Sequence, residues 1–279
     1  MGAVAYAPKV VTIWEGFKAW FAQRGLLFDY VLYSNYEAQV QAQFDGAIQL
    51  AWNSPLAYVR AVRMARARNQ AVHAVAMRDT DRDLRSLIVV RADGPVRALA
   101  DLRGRRLGVG AIDSPQATLL PLQHLRRAGL IGGTDFHVRR FDALGGKHGD
   151  HIGGERDAAA ALLAGEVDAC CMIDGNHLAF GLDGTLPPGR TRVLAQTAPY
   201  DHCNMTASPG IGVATLEPYL NGLLSMRWDD PQVRPLLELE GLRQWLPGRV
   251  SGYDELAQAV DAERFYGTDG QILHADYRY

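Results

Sequence analysis

Residues 36–58 read YEAQVQAQFDGAIQLAWNSPLAY. The opening of this stretch has a helical pattern that the turn pair Asp45-Gly46 closes. Ile48–Trp52 is short and apolar, as expected of a buried strand, and Pro55 is well placed to begin a second helix that continues to Ala67. A helix, a buried strand and a helix in close succession predict an α/β protein.

Strands and helices continue to alternate on both sides of this segment. Further strands are predicted at Val4–Tyr6, Phe28–Tyr33, Val72–Met77, Ser86–Arg91, Arg106–Gly110, Phe136–Phe141, Val167–Ile173 and Arg192–Gln196. Further helices are predicted at Val10–Phe21, Ala117–Ala128, Arg156–Leu163, Ile211–Ser225, Asp230–Leu239 and Tyr253–Phe265, and residues 197–210 are predicted to be irregular. Two consecutive strand–helix sets without a long linker predict two lobes, formed by residues 1–86 with 201–279 and by residues 87–200.

The charge balance and the hydropathy pattern exclude several kinds of partner. Lys and Arg number 29 and Asp and Glu number 31, so no net field favours nucleic acid or a membrane surface. No apolar run approaches the roughly 20 residues that span a bilayer. We therefore predict no nucleic-acid partner and no membrane insertion.

The N-terminus and the cysteines bear on the cellular compartment. Met1-Gly2 leads directly into the first predicted strand rather than into a basic and then apolar leader. Cys170, Cys171 and Cys203 form no disulfide framework. Both features predict a cytoplasmic protein. The alternative is a periplasmic or lipid-anchored protein from which a signal sequence was removed.

Polar side chains cluster where predicted strands end and helices begin. Ligands of open α/β sheets bind at the carboxyl ends of the strands, and helix N-termini attract anions. Hydroxyl and amide groups at these turns predict a small oxyanion or carboxylate ligand. The candidate ligand residues are Tyr6, Tyr36, Asn53, Ser54, Ser114, Gln116 and Thr118. The alternative is that the polar side chains only cap their helices.

Residues 145–155, GGKHGDHIGGE, are rich in glycine and in titratable side chains. One hypothesis is a ligand clamp in which Lys147 and His148 donate to an anion. A second is a metal site formed by His148, His151 and a carboxylate, and a third is a mobile polar lid without chemistry. Because the spacing matches no defined metal motif, we predict no metal and no cofactor.

A second polar cluster, Asp201-His202-Cys203-Asn204, lies near the predicted lobe boundary. His202 and Cys203 have the chemistry of a base and a nucleophile. Neighbours in sequence rarely have the required geometry, so a structural or hinge role is the other hypothesis. Residues 78–81, RDTD, fit a hinge ion pair and a ligand contact equally well.

The order of these turns resembles that of the phosphate, phosphite and phosphonate solute-binding proteins of ABC transporters. The resemblance covers roughly residues 1–205 and rests on residues 36–58, 86–91, 99–106, 113–121, 145–148 and 165–169. It implies a type 2 periplasmic-binding-protein-like fold with two lobes, a hinge and an interlobe ligand cleft. It also implies an ABC permease as partner if the protein is exported. The family's phosphonate-binding turn is of the Ser-Thr-Ser-Gly type, and here the turn is SPQAT, residues 114–118, in which Pro115 has no N–H.

Two functional hypotheses follow. In the first, the protein binds a small oxyanion or carboxylate through the turn residues given above together with Lys147 and His148. In the second, it is a cytoplasmic lyase, decarboxylase or hydrolase on the same fold. Lys147 or His148 would then act as acid or base, assisted by His151, His202 or Cys203. Turnover of the ligand distinguishes the two hypotheses.

Overall fold

The computed structural model describes residues 1–142, 144–150 and 153–279. Contacts divide the chain into two units, each with its own sheet. Unit 1 contains Met1–Arg82, Asp201–Tyr253 and Tyr266–Leu273. Unit 2 contains Asp83–Tyr200, Asp254–Phe265 and His274–Tyr279. The lobe boundaries given by the sequence pattern stay a prediction.

Among the described residues, unit 1 contains a six-stranded sheet. In chain order the strands are β1 (Gly2–Val4), β2 (Val31–Tyr33), β3 (Leu50–Asn53), β4 (His73–Arg78), β10 (Asn204–Ala207) and β11 (Trp245–Pro247). Their spatial order is β11-β4-β10-β3-β1-β2. β1 pairs in parallel with β2 and β3, and β10 lies antiparallel between β3 and β4. The carboxyl ends of β1 to β4 therefore share one edge with the amino end of β10.

The helices of unit 1 are α1 (Lys9–Ala22), α2 (Tyr36–Phe44), α3 (Pro55–Ala67), α7 (Val213–Ser225) and α8 (Arg234–Glu240). Helix α1 supplies much of the core because its apolar residues recur at three- and four-residue intervals, which places them on one face. Its Trp14 and Phe17 meet Trp52 of β3 and Trp245 of β11 in edge-to-face contacts. Such aromatic packing fixes the helix against the sheet.

Unit 2 contains a five-stranded sheet in the part of the chain that the structure describes. Its strands are β5 (Ser86–Arg91), β6 (Arg106–Val109), β7 (His137–Arg140), β8 (Ala169–Ile173) and β9 (Thr191–Gln196), in the spatial order β7-β6-β8-β5-β9. Its helices are α4 (Leu120–Arg127), α5 (Gly153–Leu163), α6 (Asp174–Leu182) and α9 (Asp254–Ala262). β6 is parallel to β7 and β8, whereas β5 is antiparallel to β8 and β9. The carboxyl ends of β6, β7 and β8 therefore lie at one edge.

The expectation that residues 197–210 are irregular was wrong at residues 204–207. Asn204–Ala207 form β10, which lies inside the sheet of unit 1 between β3 and β4. The strand has polar residues at Asn204 and Thr206, which breaks the apolar pattern expected of an internal strand. Both side chains are nevertheless buried. Their burial is tolerated because Asn204 Nδ2 donates to the Tyr253 hydroxyl and Thr206 Oγ1 donates to Asn204 Oδ1.

Candidate functional site

The turn that follows β6 in unit 2 is shaped by its own hydroxyl groups. Ser114 Oγ accepts the backbone N–H of Ala117 at 3.1 Å, and Thr118 Oγ1 donates to the carbonyl of Ala111 at 2.8 Å. A single π-helical turn, Pro115–Leu119, then continues into α4. The predicted ligand residues Ser114, Gln116 and Thr118 are brought together here, and all three are buried. The amino end of this continuous helix is a place where an anion is favoured.

Asp113 connects this turn with the glycine-rich loop. Its Oδ2 accepts the backbone N–H groups of Gly146 at 2.7 Å and His148 at 3.2 Å. The Tyr277 hydroxyl donates to the same oxygen at 3.3 Å. A buried carboxylate that accepts several N–H and O–H groups organises the backbone around it. The described loop, residues 144–150, is therefore fixed to the start of the turn.

Gln116 makes a second connection to the same loop, since its Nε2 donates to the carbonyl of Gly149 at 2.7 Å. Gly149 has φ +78°, and a Cβ placed on it would overlap Ser114 Oγ and lie 2.7 Å from Gln116 Nε2. Only glycine combines this backbone conformation with so close an approach. The candidate ligand turn and the loop thus form one packed assembly within unit 2.

Replacing Gly149 with alanine is therefore expected to displace the loop. The combined clash and left-handed strain should destabilise unit 2 by about 1–3 kcal/mol. Gly129 is a matched control because it also has a positive φ, +76°, but open space where a Cβ would lie. Thermal unfolding followed by circular dichroism should show a larger loss for Gly149→Ala than for Gly129→Ala. Equal losses would mean that the close approach at Gly149 is unimportant.

The proposed clamp residues differ in their surroundings. Lys147 is half-buried, and burial lowers the pKa of its ammonium group, an effect that the nearby Asp150 carboxylate opposes. His148 is fully buried, with φ +50°. His151, the third candidate of this loop, lies outside the described residues. Asp113 thus holds the backbone on both sides of Lys147. The role of Lys147 and His148 towards a ligand stays a prediction.

Glu155 is a buried acidic residue of unit 2 that the sequence analysis did not single out. Its Oε2 accepts the backbone N–H of Ile173 at 3.0 Å and Nδ2 of Asn176 at 2.8 Å. Burial raises the pKa of this carboxyl to about 7, against the opposing effect of these hydrogen bonds. The signal in the sequence is its spacing from Ala158, Ala159 and Leu162, which places Glu155 on the buried face of α5.

In unit 1 the predicted residues Asn53, the last of β3, and Ser54, which follows it, lie at the shared carboxyl edge. Asn53 Nδ2 donates to Gln43 Oε1 at 3.1 Å and to Thr206 Oγ1 at 3.0 Å. Ser54 Oγ accepts the N–H of Ala57 at 3.1 Å and so caps α3. Both side chains are fully buried. Their observed contacts join the strands and helices of unit 1.

The two predicted tyrosines lie at the same edge of unit 1. Tyr36 is buried among apolar side chains that include Val4, Val40 and Ala57. Tyr6 is half-buried, and the Lys9 ammonium lies 5.8 Å from the centre of its ring. Of the two, Tyr6 is the one with an accessible surface for a ligand.

The second polar cluster gathers around Asp81 in unit 1. His202 Nδ1 lies 3.1 Å from Cys203 Sγ and 3.7 Å from Asp81 Oδ1. The guanidinium of Arg78 bonds both carboxylate oxygens of Asp81, at 2.6 and 2.9 Å, and the carbonyl of Glu240 at 2.8 Å. Burial opposes the charge of Arg78, but the Asp81 and Glu240 carboxylates hold its pKa well above the ordinary value. Arg78 and Asp81 thus form an ion pair in which the carboxylate is buried and the guanidinium is partly exposed.

This cluster also contains three candidate metal-ligand atoms that lie within 4.8 Å of one another, one each from Asp81, His202 and Cys203. It is the one group of this kind among the described residues. Their arrangement does not favour a metal. Both oxygens of Asp81 are already bound by Arg78, and a cation would compete with that guanidinium. His202 presents the same nitrogen, Nδ1, to Cys203 and to Asp81, so the three do not form a relay through both ring nitrogens.

A cavity of about 630 Å³ lies elsewhere on unit 1. Its lining includes Met1, Val31 and Leu50, which stand at the amino ends of β1, β2 and β3. None of the predicted ligand residues lines it. Since ligands of open α/β sheets bind at the carboxyl ends of the strands, this cavity is not the favoured site.

Comparison with known proteins identifies relatives over nearly the whole chain. A family model described as "ABC transporter, phosphonate, periplasmic substrate-binding protein" matches residues 3–253. PhnD1 from Prochlorococcus marinus in complex with methylphosphonate is 17% identical, with a TM-score of 0.67 over 94% of this chain and 96% of that chain. XAC2383 from Xanthomonas citri bound to ATP is 17% identical, with a TM-score of 0.71 over 94% and 96%. The aliphatic sulphonate binding protein SsuA from Escherichia coli is 16% identical, with a TM-score of 0.59 over 100% and 92%.

These likenesses establish the fold. The mixed α/β chain with two sheets has the two-lobed type 2 fold of periplasmic binding proteins, which confirms the fold class predicted from the sequence.

Proposed function

The chain belongs to the family of periplasmic phosphonate substrate-binding proteins of ABC transporters, as its sequence predicted, and from this premise we propose that it binds a small oxyanion. Relatives of the same fold are described in complex with methylphosphonate or as sulphonate-binding proteins. These ligands share a tetrahedral anionic head with oxygens that accept hydrogen bonds. A compact oxyanion of this chemistry is the ligand class proposed for this chain.

One observation in unit 2 supports the proposal most strongly. The turn at Ser114 begins a continuous helix at the carboxyl edge of the sheet and is held in shape by Asp113, Ser114 and Thr118. A helix start that is fixed before the ligand arrives presents its dipole to an anion without further ordering cost. Pro115 has no N–H, and the N–H groups of Ala117, Thr118 and Leu119 are bonded to Ser114. We therefore propose that the backbone N–H of Gln116 and the helix dipole carry the recognition.

The enzyme hypothesis gains no support from these findings. The family model is described as a substrate-binding protein, and SsuA is described as a sulphonate-binding protein. Within unit 1 the Cys203 thiol is buried beside the Arg78–Asp81 ion pair. That environment suits a structural contact.

The cytoplasmic location predicted from the N-terminus also finds no support, because the family is a periplasmic one. We propose a periplasmic location and an ABC permease as the partner that receives the ligand. Among the described residues, no helix has the length and apolar character needed to cross a membrane.

A panel of anions tests the ligand class. Methylphosphonate, phosphate, methylsulfonate and acetate are each added to the purified protein, and the unfolding temperature is measured. A ligand present at 100 times its Kd should add about 2.7 kcal/mol to the free energy of unfolding. We expect the tetrahedral anions to stabilise the protein more than acetate does. The absence of any shift with all four anions would refute the proposed function.

A further inference from the structure

Two stretches of unit 2 lie beyond the part of the chain that the family model matches. The model matches residues 3–253, whereas Asp254–Phe265 and His274–Tyr279 complete unit 2. The same unit contains the turn at Ser114 and the loop 144–150. The contribution of these two stretches to the candidate site therefore follows from their contacts and not from the family match.

Tyr277 brings a hydroxyl group to the centre of the candidate site. Its side chain is 3% exposed, and the hydroxyl donates to Asp113 Oδ2 at 3.3 Å. Its ring packs against the fully buried ring of Phe265, with 4.8 Å between the centroids. Because this packing fixes the ring, the hydroxyl has a defined place at the carboxylate. The same carboxylate oxygen accepts the backbone N–H groups of Gly146 and His148.

The backbone of the segment 274–279 approaches the loop at a second point. A Cβ placed on Gly145 would overlap the carbonyl oxygen of Arg278. The guanidinium of Arg278 in turn bonds two carbonyls of its own segment at 2.7 Å, which keeps the segment folded on itself. The loop 144–150 therefore meets this segment through a hydrogen bond relayed by Asp113 and through a close backbone approach.

The ring of Tyr277 is also tied to the helix that begins at the candidate anion site. Phe265, against which it packs, comes shortly after α9. Glu263, which directly follows α9, bonds Arg126 of α4. Helix α4 continues from the π-helical turn at Ser114. Packing therefore places Tyr277 on the same helical element whose amino end is the candidate site.

We propose that Tyr277 is a positioning residue of the anion site. Its hydroxyl fixes the Asp113 carboxylate, and the fixed carboxylate holds the loop 144–150 against the turn at Ser114. Without the hydroxyl, this oxygen keeps the two loop N–H groups as donors but the side chain gains rotational freedom, so the loop moves away from the turn more often. Part of the binding free energy is then spent on ordering the loop, and affinity falls. The effect on affinity rests on the proposed function, because it takes this turn to be the anion site.

Hydrogen exchange tests the positioning without any ligand. Tyr277→Phe keeps the ring and removes only the hydroxyl. The backbone amides of Gly146 and His148, followed by NMR, should exchange at least about fivefold faster in this variant, the effect of one lost hydrogen bond. Amides of β6 should change less, whereas a general loss of stability would accelerate exchange throughout unit 2. Tyr279→Phe is the matched control, because Tyr279 is 59% exposed, and it should exchange like the native protein. Native exchange rates at both loop amides in Tyr277→Phe would overturn the proposal.

Gly145→Ala reaches the same contact from the side of the loop. Its Cβ would overlap the Arg278 carbonyl and push the segment 274–279 away, so the amide of His148 should again exchange faster than in the native protein. Gly181→Ala is the control, because Gly181 lies on α6 in the same unit with open space where a Cβ would lie. Equal exchange at His148 in the two glycine variants would contradict the part given to this segment.

Calorimetric titration tests the consequence for the ligand, with methylphosphonate, phosphate and methylsulfonate as probes. Tyr277→Phe should bind the probes at least about fivefold more weakly than the native protein, and Tyr279→Phe should bind them equally well. Equal affinity of Tyr277→Phe and the native protein would overturn the assignment of Tyr277 to the anion site, even if its loop amides exchange faster. Failure of the native protein to bind all three probes would refute the proposed function, and the exchange rates would then decide by themselves whether Tyr277 positions the loop.

Discussion

Replacing Arg78 with leucine is expected to lower the free energy of unfolding of unit 1 by about 3–5 kcal/mol. The change removes the cation that faces Asp81 and Glu240, whose carboxylates are both buried. A buried carboxylate without its partner must either bear the full desolvation cost or take up a proton. All five tryptophans lie in unit 1, so tryptophan fluorescence during urea denaturation reports this loss directly.

Arg234→Leu is the matched control, because it removes the same side chain from an exposed pair with Glu238 in the same unit. An exposed pair of this kind contributes only about 0.3–0.5 kcal/mol. A loss of similar size for both variants would show that the Arg78 ion pair is no more than a surface contact.

Glu155→Gln is expected to stabilise the protein at alkaline pH. The pKa of the Glu155 carboxyl is about 7 in the folded protein and 4.5 as its ordinary value. A raised carboxyl pKa means that the unfolded chain loses its proton first. The free energy of unfolding therefore falls as pH rises from about 4.5 to about 7. The difference amounts to about 3 kcal/mol, which Glu155→Gln should recover at pH 8 and not at pH 4.5.

Circular dichroism at a series of pH values measures this effect, with Glu166→Gln as the control. Glu166 belongs to an exposed pair with Arg139 in the same unit, so its removal should give a small difference that does not vary with pH in this way. A Glu155→Gln protein that is equally stable at pH 4.5 and pH 8 relative to the native one would contradict a neutral carboxyl at this position.

The best predicted parts of the fold are those with strong local signals. The helices Tyr36–Phe44 and Pro55–Ala67 have the bounds that the sequence predicted. Each begins at a polar cap whose side chain accepts a backbone N–H, Asn35 for the first and Ser54 for the second. Such a cap involves only three or four consecutive residues, so it can be predicted from the sequence without knowledge of tertiary contacts.

Strand β10 was missed because its stability comes from contacts that are distant in sequence. Its Asn204 pairs with Asn53 and bonds Tyr253, about 150 and 50 residues away along the chain. A polar residue inside a strand looks like a loop residue until its buried partners are known. The same limit applies to Thr206 of β10 and to Gln43 of α2, which both accept hydrogen bonds from the Asn53 amide.

The candidate site was predictable in part. The hydroxyl and amide side chains of the turn at Ser114 were visible as a polar helix start after a strand, and the structure brings them together in unit 2. The roles of Asp113 and Glu155 were not visible, because one depends on the backbone of residues 146–148 and the other on burial within α5. Whether these residues contact the ligand stays a prediction.

Calorimetric titration with methylphosphonate tests the central claim most directly, since it measures binding of a tetrahedral oxyanion to the turn at Ser114. The native protein and Gly129→Ala should bind one equivalent with equal affinity. Gly149→Ala, which displaces the loop from Ser114 and Gln116, should bind at least about tenfold more weakly, a difference of about 1.4 kcal/mol. Phosphorus NMR of the mixture should show the ligand unchanged. Absence of binding, or equal binding by the native protein and Gly149→Ala, would contradict the account.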